Sequence, residues 1–562
     1  MKRCPNCGRD YNDDSLSFCL DDGSELLFGP STSESATAIL HDTSPINDAP
    51  TRAQIYTTAE SPSSVSAVVD GQKRVFDRRV LLGLLVICVA LGGYVGYRLF
   101  RSAAPQQISS IAVLPFQNRS DDPDTDYLSD GLAESLIFRL TQLPGIKVSP
   151  TSSVMRYKNA ADVTKVASDL GVDAVMTGRL VKRGDNLNIT VELVDTRNNK
   201  SLWGEQYERK MADLLATQRE IAAAIVQKLQ LKLNGKDQGI TKKYTDNNEA
   251  YQLYLNARFH FARRTKEDLY KSLDLYQQAV AIDPNFALAY SGLAESYAVI
   301  PSFPYASPSE CFLKAKAAVA RALELDPNLP EAHTVAGMIA ATYDWDWATA
   351  EREFKRALEI DPDLAITHYR YAWTYLSPLG HHDEAVAEMK KAMELEPLSL
   401  IQGANYAGVL MYARRYDEAI AQAQKTVDLD PQFFGGRSWL CHSYVSDGKY
   451  AEALAIAEPT LTSENPFLSD AGLAYALSGQ REKAIAIVDR WKEAAKRKYI
   501  MNYLLAMTYG ALGNKDEAFA ELEKAYQNHD WFLQRLKVDP AADSLRDDPR
   551  FEVIVKRLNL PS

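Results

Sequence analysis

The feature that most constrains this chain of 562 residues is a ladder of acidic-proline dipeptides in its second half. The prolines of these dipeptides stand at positions 284, 327, 362, 397 and 431, and Asn465-Pro466 continues the series. After a first gap of 43 residues, the spacings are 35, 35, 34 and 35 residues. Proline ends a helix because it lacks an N–H and disfavours helix in the residue before it. A fixed period of this size therefore predicts stacked helical pairs, which usually form a surface for partners.

Small and aromatic residues recur where the two helices of a period must touch. After Pro362 the first helix carries Tyr371, Ala372 and Tyr375, and the second carries Ala385. Alanine lets helices approach closely, and aromatic rings fill the groove between turns. These residues resemble the tetratricopeptide repeat over about 248–525, in roughly eight repeats including degenerate ones. The resemblance implies an all-α solenoid at 245–530, a C-terminal cap at 531–562, and a groove that binds proteins or peptides.

The same resemblance implies which side chains a partner would contact. In such repeats the first helix lines the concave face, and its positions two, five, nine and twelve point inward. In this chain they include Tyr369 and Trp373 in one repeat, and Ser438 and His442 in another. We therefore predict these four residues as partner-binding residues.

An uncharged apolar segment, 80–97, lies near the end of the first hundred residues. With its flanks, at 78–100, it is long enough as a helix to cross a bilayer, at 1.5 Å per residue. Four basic residues precede it: Lys73, Arg74, Arg78 and Arg79. The positive-inside rule then predicts a single-pass protein of the inner (cytoplasmic) membrane, with a cytoplasmic N-terminus and periplasmic C-terminal domains. The Gly92 and Gly96 spacing allows a homodimer through this helix.

The amino terminus carries two short cysteine turns. Cys4 and Cys7 form the first, and Cys19 with Asp22 forms the second. Such turns can aim their side chains at one tetrahedral ion, so residues 1–28 resemble a small zinc ribbon that binds structural zinc. Asp21 is the competing fourth ligand, and a reduced, metal-free cysteine cluster is the alternative. Residues 29–74 are rich in Ser, Thr, Pro and Asp, which predicts a disordered linker.

Alternating strand and helix patterns predict an α/β domain at 106–235. Strands are expected at 108–116, 146–149, 173–182, 187–196 and 201–207, and helices at 127–141, 161–170 and 211–231. The stretches Ala112-Val-Leu-Pro-Phe116, Asp173-Ala-Val-Met-Thr-Gly178 and Leu202-Trp203 resemble the TolB-like amino-terminal domain. In that family the domain often lies beside tetratricopeptide repeats, across a membrane from a winged-helix regulator or a kinase. This sequence contains the motifs of neither.

Charge and motif content narrow the function. The formal net charge is -11, and residues 1–79 hold 8 Lys plus Arg against 12 Asp plus Glu, which argues against nucleic-acid binding. The sequence shows no nucleophile, base and orienting group at catalytic spacing, so we expect no enzyme. We predict a multidomain, membrane-anchored scaffold or signal-transduction sensor that binds proteins through its repeat and TolB-like domains. The alternative is a one-component transcription regulator acting through the cytoplasmic ribbon.

Overall fold

The structure is a computed structural model in which the chain divides into two compact units, Met1–Ser102 and Ala103–Ser562. It describes these residues: 2–3, 10–11, 27–28, 108–120, 126–141, 146–149, 151–158, 162–229, 244–303, 306–397, 399–461 and 468–560.

The described part of the first unit is a small antiparallel sheet. Its strands are β1 (Lys2–Arg3), β2 (Asp10–Tyr11) and β3 (Leu27–Phe28), in the order β2-β1-β3. Lys2 pairs with Tyr11 on one side and with Phe28 on the other. The predicted zinc ligands, the linker at 29–74 and the segment at 78–100 all lie outside the described residues.

The second unit begins with a mixed sheet, which confirms that the array follows a region of mixed α/β structure. Its strands are β4 (Ser110–Val113), β5 (Gln117–Asn118), β6 (Lys147–Val148), β7 (Ala174–Arg183), β8 (Asn186–Asp195) and β9 (Lys200–Lys210). Their order in the sheet is β6-β4-β7-β8-β9, and β5 pairs with β7. β4 runs parallel to β6 and β7, whereas β7, β8 and β9 form an antiparallel meander.

Helices cover this sheet, and their positions follow the sequence pattern closely. The described helices are Asp126–Thr141, Thr151–Val154, Val163–Leu170 and Leu214–Lys228. The first and last of them pack against each other and against strands. β7 and β8 each begin and end within one residue of the predicted strands, because a tight turn at Gly184 (φ 59°) separates two apolar, β-branched runs. Ile111, Val175, Ile189 and Ile225 lie in one buried core.

The remainder of the second unit is an array of eight antiparallel helical pairs within the described residues. The pairs begin with Asn248–Arg263 and Lys266–Ile282, then Ala287–Val299 and Pro308–Leu325. Repeats three and four are Pro330–Ile339 with Trp347–Ile360, and Ala365–Arg370 with His382–Leu395. Repeats five and six are Leu400–Tyr412 with Tyr416–Leu429, and Phe434–Ser446 with Tyr450–Ala457. The last two are Leu468–Leu477 with Arg481–Ala495, and Asn502–Ala511 with Lys515–Gln527.

Small residues allow the paired helices to approach, as the sequence predicts. Ala372, Ala385 and Ala392 are fully buried. Gly292 is the extreme case, because a Cβ at that position would lie 2.5 Å from the ring of Tyr276 in the neighbouring helix. The small residues of the repeat pattern therefore mark positions where the backbones of two helices approach closely, which only small side chains permit.

Two first helices continue into π-helical turns. Pro330–Ile339 is followed by Ala340–Asp344, and Ala365–Arg370 is followed by Tyr371–Leu376, after which the helix resumes as Ser377–Leu379. A π turn shifts backbone carbonyls out of the regular i to i-4 ladder, so these carbonyls become available to other donors. Both turns lie in adjacent repeats, three and four.

The segment after repeat eight packs on two surfaces. It contains the 3₁₀ turns Leu533–Arg535 and Pro540–Leu545 and the helix Pro549–Arg557. Leu533, Leu536 and Leu545 are buried in the core of repeats six to eight, as expected of a terminal cap. Trp531 and Val538 instead belong to the core of repeats one to five. The segment thus covers the last repeat and also contacts much earlier ones.

The predicted localisation, a single-pass inner-membrane protein, is wrong. Among the residues that the structure describes, no helix is both long enough and apolar enough to cross a membrane. The longest of these helices, Pro308–Leu325, has 18 residues and includes charged side chains such as Glu310, Lys314 and Arg321. It is amphipathic, because only one of its faces is buried against the array.

Candidate partner-binding surface

The mixed sheet region and the first repeat are joined by a buried polar network. Ser135 shares a hydrogen bond of 2.5 Å with the hydroxyl of Tyr251 and donates to Gln218 at 2.8 Å. Beside it, Arg258 forms an ion pair of 2.6 Å with Glu134. Because Ser135, Gln218 and Tyr251 are buried and hydrogen-bonded through Ser135, the helix Asp126–Thr141 is held against the first helix of the array.

A polar inner surface lines the first four repeats. We define it by Arg258, Arg264, Glu295 and Arg370. Arg370 donates to Glu295 at 2.9 Å and to the Tyr369 hydroxyl at 3.3 Å, which brings repeats two and four together. The side chain of Arg258 is 33% exposed although it is surrounded by protein, so water reaches this inner surface. Arg258 and Arg264 are therefore partly accessible to a ligand, whereas Arg370 is buried, and charges in this region are only weakly screened.

Arg264 is the least compensated cation of this surface. It follows the first helix in a left-handed conformation (φ 58°), and its guanidinium lies 3.8 Å from the centroid of the Phe261 ring. Within the described ranges it forms no ion pair at 4.0 Å or less. Its pKa is lowered to about 10, chiefly by burial; the charge of Glu295 opposes this shift and that of Arg370 adds to it. A buried guanidinium with a like-charged neighbour favours an incoming anion.

Tyr369 and Trp373, predicted to contact a partner, lie in one buried polar-aromatic layer. Asn405 donates to the Tyr369 hydroxyl at 2.8 Å and accepts from the Trp439 indole at 3.1 Å. The rings of Trp373 and Trp439 meet edge to face, with centroids 5.3 Å apart. Trp373 is only 3% exposed, because Arg535 of the C-terminal segment covers it. Partner binding by these two residues stays a prediction.

Ser438 and His442 come together on one carboxylate. His442 Nδ1 lies 2.9 Å from Asp470, and the Ser438 hydroxyl donates to the same side chain at 3.5 Å. Burial alone lowers the pKa of His442, but Asp470 outweighs it and the pKa is raised. His442 Nε2 has no hydrogen-bond partner among the described residues, and it borders a cavity of about 10 Å³, room for one water molecule. Their partner-binding role also remains untested.

The sequence pattern did not predict the charged residues of the polar inner surface. Arg264 ends a first helix and Arg370 lies between the predicted positions, so the groove pattern selects neither. A weak signal exists, since long cationic residues are rarely buried without a reason. The described residues contain no group of three or more His, Cys, Asp or Glu side chains arranged to hold a metal. Cys311 and Cys441, both buried and unpaired, pack as small apolar residues.

The array and the family comparison together define the class of protein. A model of the tetratricopeptide repeat matches residues 365–397 and 499–527, within the helical pairs described above. The chain is therefore a tetratricopeptide-repeat protein, a class whose arrays serve protein–protein interaction. The sheet region at 106–229 matches the model of the second domain of HilA/YgeH-like transcriptional regulators. The predicted TolB-like resemblance of this region stays a prediction.

Individual relatives give two different functional descriptions. The chain is 31% identical over 187 residues to "Putative adenylate cyclase 3" of Rhizobium meliloti. This match covers 33% of the chain and only 32% of the length of that relative. It is 26% identical over 474 residues to the transcriptional regulator HilA of Salmonella typhimurium, covering 80% of this chain and 82% of HilA. Among solved structures, the match to PilF of Pseudomonas aeruginosa covers 38% of this chain and 93% of the PilF chain, at 18% identity and a TM-score of 0.29.

Proposed function

We propose that this protein is a non-enzymatic interaction scaffold whose polar inner surface binds an acidic segment of a protein partner. The observation that carries the proposal is Arg264, a guanidinium on a water-accessible inner surface with no ion-pair partner in the described part of the chain. Arg370 lies beside it and directs only part of its guanidinium to Glu295 and Tyr369. Its Nε is buried and unbonded among the described residues.

A carboxylate of the partner would pair with Arg264, whose side chain is partly exposed, and its charge would also stabilise the buried Arg370. Guanidinium–carboxylate contacts are charge-assisted and often bidentate, and they strengthen where water is partly excluded. The same contact would relieve the repulsion between Arg264 and Arg370. This repulsion raises the free energy of the unbound protein, so its relief would make binding more favourable.

The experiment compares captured proteins from cell extract, using the full chain, Arg264→Gln and the matched control Arg263→Gln. Arg263 is the neighbouring arginine, and its side chain is 55% exposed. Proteins lost with Arg264→Gln but kept with Arg263→Gln support the proposal, and direct binding is then measured with a peptide from the captured protein. If both variants capture the same proteins as the wild type, the inner surface is not the binding surface.

The amino-terminal ribbon is part of the proposal. Cys4, Cys7, Cys19 and Asp22, with Asp21 as the alternative fourth ligand, would hold one structural zinc ion, for which three thiolates are suitable donors. Strand β1 ends one residue before Cys4, and a sheet this small needs a metal to be stable alone. Zinc content of the purified protein tests this: one equivalent is expected, and its loss in Cys7→Ser.

A second candidate function is transcription regulation, favoured by the similarity to HilA over 80% of this chain. The ribbon would then contact DNA while the array binds a regulatory partner. The net charge of -11 argues against this function, because DNA binding requires clustered cations. Titration of the full chain with genomic DNA fragments discriminates the two: affinity that falls steeply with salt concentration supports regulation, and its absence supports the scaffold.

A further inference from the structure

The aromatic face inside repeats three to five is occupied by the chain itself. We call Tyr343, Trp345, Trp373 and Tyr412 the aromatic inner surface, and residues 528–543 the C-terminal segment. All four aromatic residues are in contact with the end of repeat eight or with this segment, about 120 to 190 residues further along the chain. The polar inner surface, with Arg264, meets this region at Tyr369, whose hydroxyl accepts from both Arg370 and Asn405.

His529 and Trp531 form the first anchor of the segment. The His529 ring stacks on Tyr343 at 4.3 Å and on Trp345 at 4.5 Å between centroids, and its Nδ1 donates to the Tyr343 carbonyl at 2.8 Å. Trp531 stacks on Phe312 of repeat two at 6.0 Å. Aromatic stacking of this kind adds to the burial of apolar area.

Arg535 forms the second anchor. Its guanidinium lies 4.0 Å from the centroid of Trp373 and 5.9 Å from that of Tyr412, and it donates to the Trp373 carbonyl at 3.0 Å. The side chain is completely buried. A cation held over two rings with a carbonyl acceptor is a specific recognition contact, since lysine cannot reproduce its planar stacking.

The two π turns supply the acceptors for these contacts. The carbonyls of Tyr343 and Trp373 belong to the turns Ala340–Asp344 and Tyr371–Leu376. Gln534, in the amide orientation that satisfies both its oxygen and its nitrogen, donates to the Ala341 carbonyl at 2.8 Å. Backbone groups released from the helical ladder are therefore paired by side chains of the C-terminal segment, and regular helices would not offer them.

The contact also joins two separate cores. One core spans repeats one to five, and the other spans repeats six to eight with the cap and also includes Trp345 of repeat three. Repeats five and six connect the two cores directly, through the chain and a small buried cluster of Ala407, Ala423 and Leu440, and the C-terminal segment connects them through space. At its edge, Arg414 and Asp543 form a two-bond ion pair of 2.6 Å each, with side chains 45% and 44% exposed. The two bodies that carry these cores can therefore separate at the C-terminal contact only by rotating about the packing between repeats five and six.

We propose that the aromatic inner surface is a recognition site for an extended protein segment carrying aromatic, glutamine and arginine side chains. The C-terminal segment occupies the site in the free protein, with the sequence Trp531-Phe-Leu-Gln-Arg535 as its centre. A partner with the same chemistry displaces it when the two bodies separate. The occupant seen in the structure defines what the partner must present: a stacked ring, an amide donor and a guanidinium.

The test uses a fluorescent peptide of residues 528–540 and the full chain. Fluorescence anisotropy is measured for the wild type, Arg414→Asp, Asp543→Arg and the double reversal. Each single reversal replaces the edge attraction with repulsion. The double reversal restores the pairing between positions 414 and 543 but places an arginine beside Arg546, which donates to Asp543 at 2.7 Å. Loss of an exposed ion pair in a single reversal should raise peptide affinity about threefold to fivefold by increasing the open fraction. The double reversal should return the affinity part of the way to that of the wild type.

Two controls make the result decisive. A peptide with Arg535→Ala should lose binding to the opened variants, because it lacks the cation that stacks on Trp373. The full chain with Arg535→Ala, confirmed as folded by circular dichroism, opens the contact without altering the edge. If folded variants bind the native peptide no more tightly than the wild type does, the segment is a permanent part of the core and the inference is overturned. Equal binding of both peptides overturns it as well.

Discussion

Arg535 offers the sharpest test of how the inner face is stabilised, because it is a buried cation without a carboxylate in ion-pair contact among the described residues. Burial lowers its pKa, because desolvation of the guanidinium has a free-energy cost. Against this cost stand the Trp373 ring, worth about 2 kcal/mol when desolvated, and a charged hydrogen bond to a carbonyl, worth about 1.5 to 3 kcal/mol. Replacement by methionine removes both contacts and also removes the desolvation cost, at similar apolar volume.

We expect Arg535→Met to lower the free energy of unfolding by about 1 to 2 kcal/mol, since the specific contacts exceed the residual desolvation. Arg535→Ala should lower it by about 3 to 4 kcal/mol, because a cavity is added. Urea unfolding monitored by tryptophan fluorescence measures both. Arg497→Met, at a side chain that is 77% exposed, is the matched control and should change stability by less than about 0.5 kcal/mol. A methionine variant as stable as the wild type refutes the reasoning.

Three further outcomes follow from individual contacts. Gly292→Ala should cost about 1 to 3 kcal/mol of stability in urea, because the new Cβ meets the Tyr276 ring. Tyr251→Phe should cost about 1 kcal/mol through the lost bond to Ser135, seen as a lower melting temperature. Burial raises the pKa of Asp530 to about 7. Because the folded state binds this proton more tightly, stability falls as pH rises from about 4 to 7, and Asp530→Asn should weaken that fall in urea titrations.

Each of these has a result that would contradict it. For the glycine, Gly204→Ala is the control, since its nearest neighbour is a carbonyl oxygen at 3.6 Å, and equal effects would contradict the packing argument. For the tyrosine, Ser135→Ala combined with Tyr251→Phe should cost less than the sum of the single changes. For Asp530, an unchanged pH dependence in the asparagine variant would assign the titration to another group.

Local patterns predicted the elements of this protein well. The proline period places the ends of the second helices, since Asp361 and Glu396 each follow a second helix directly and precede a proline. The strand pattern at 173–196 gives β7 and β8 to within one residue. Both signals are local: they depend on missing N–H donors, turn residues and alternation of apolar side chains, all of which are readable within a few residues.

The inner surface could not be predicted in this way. Positional rules of the repeat selected Tyr369 and Trp373, and the structure places both inside, but it also brings Arg535 over Trp373 from 162 residues away. The charged residues Arg264 and Arg370 are ordinary in sequence. Their proximity depends on the curvature of the array, which places repeats one and four around the same space. Curvature accumulates from small rotations between repeats and leaves no trace at single positions.

By itself, the sequence determined that the second half of this chain forms stacked helical pairs that end at acidic-proline steps, after a region of strands and helices. These features follow from propensity, periodicity and the size of side chains at close contacts. Only the tertiary structure decided which surface is open and which is filled. Two π turns release carbonyls, and a distant segment pairs with them, because contacts between residues far apart depend on the path of the whole array.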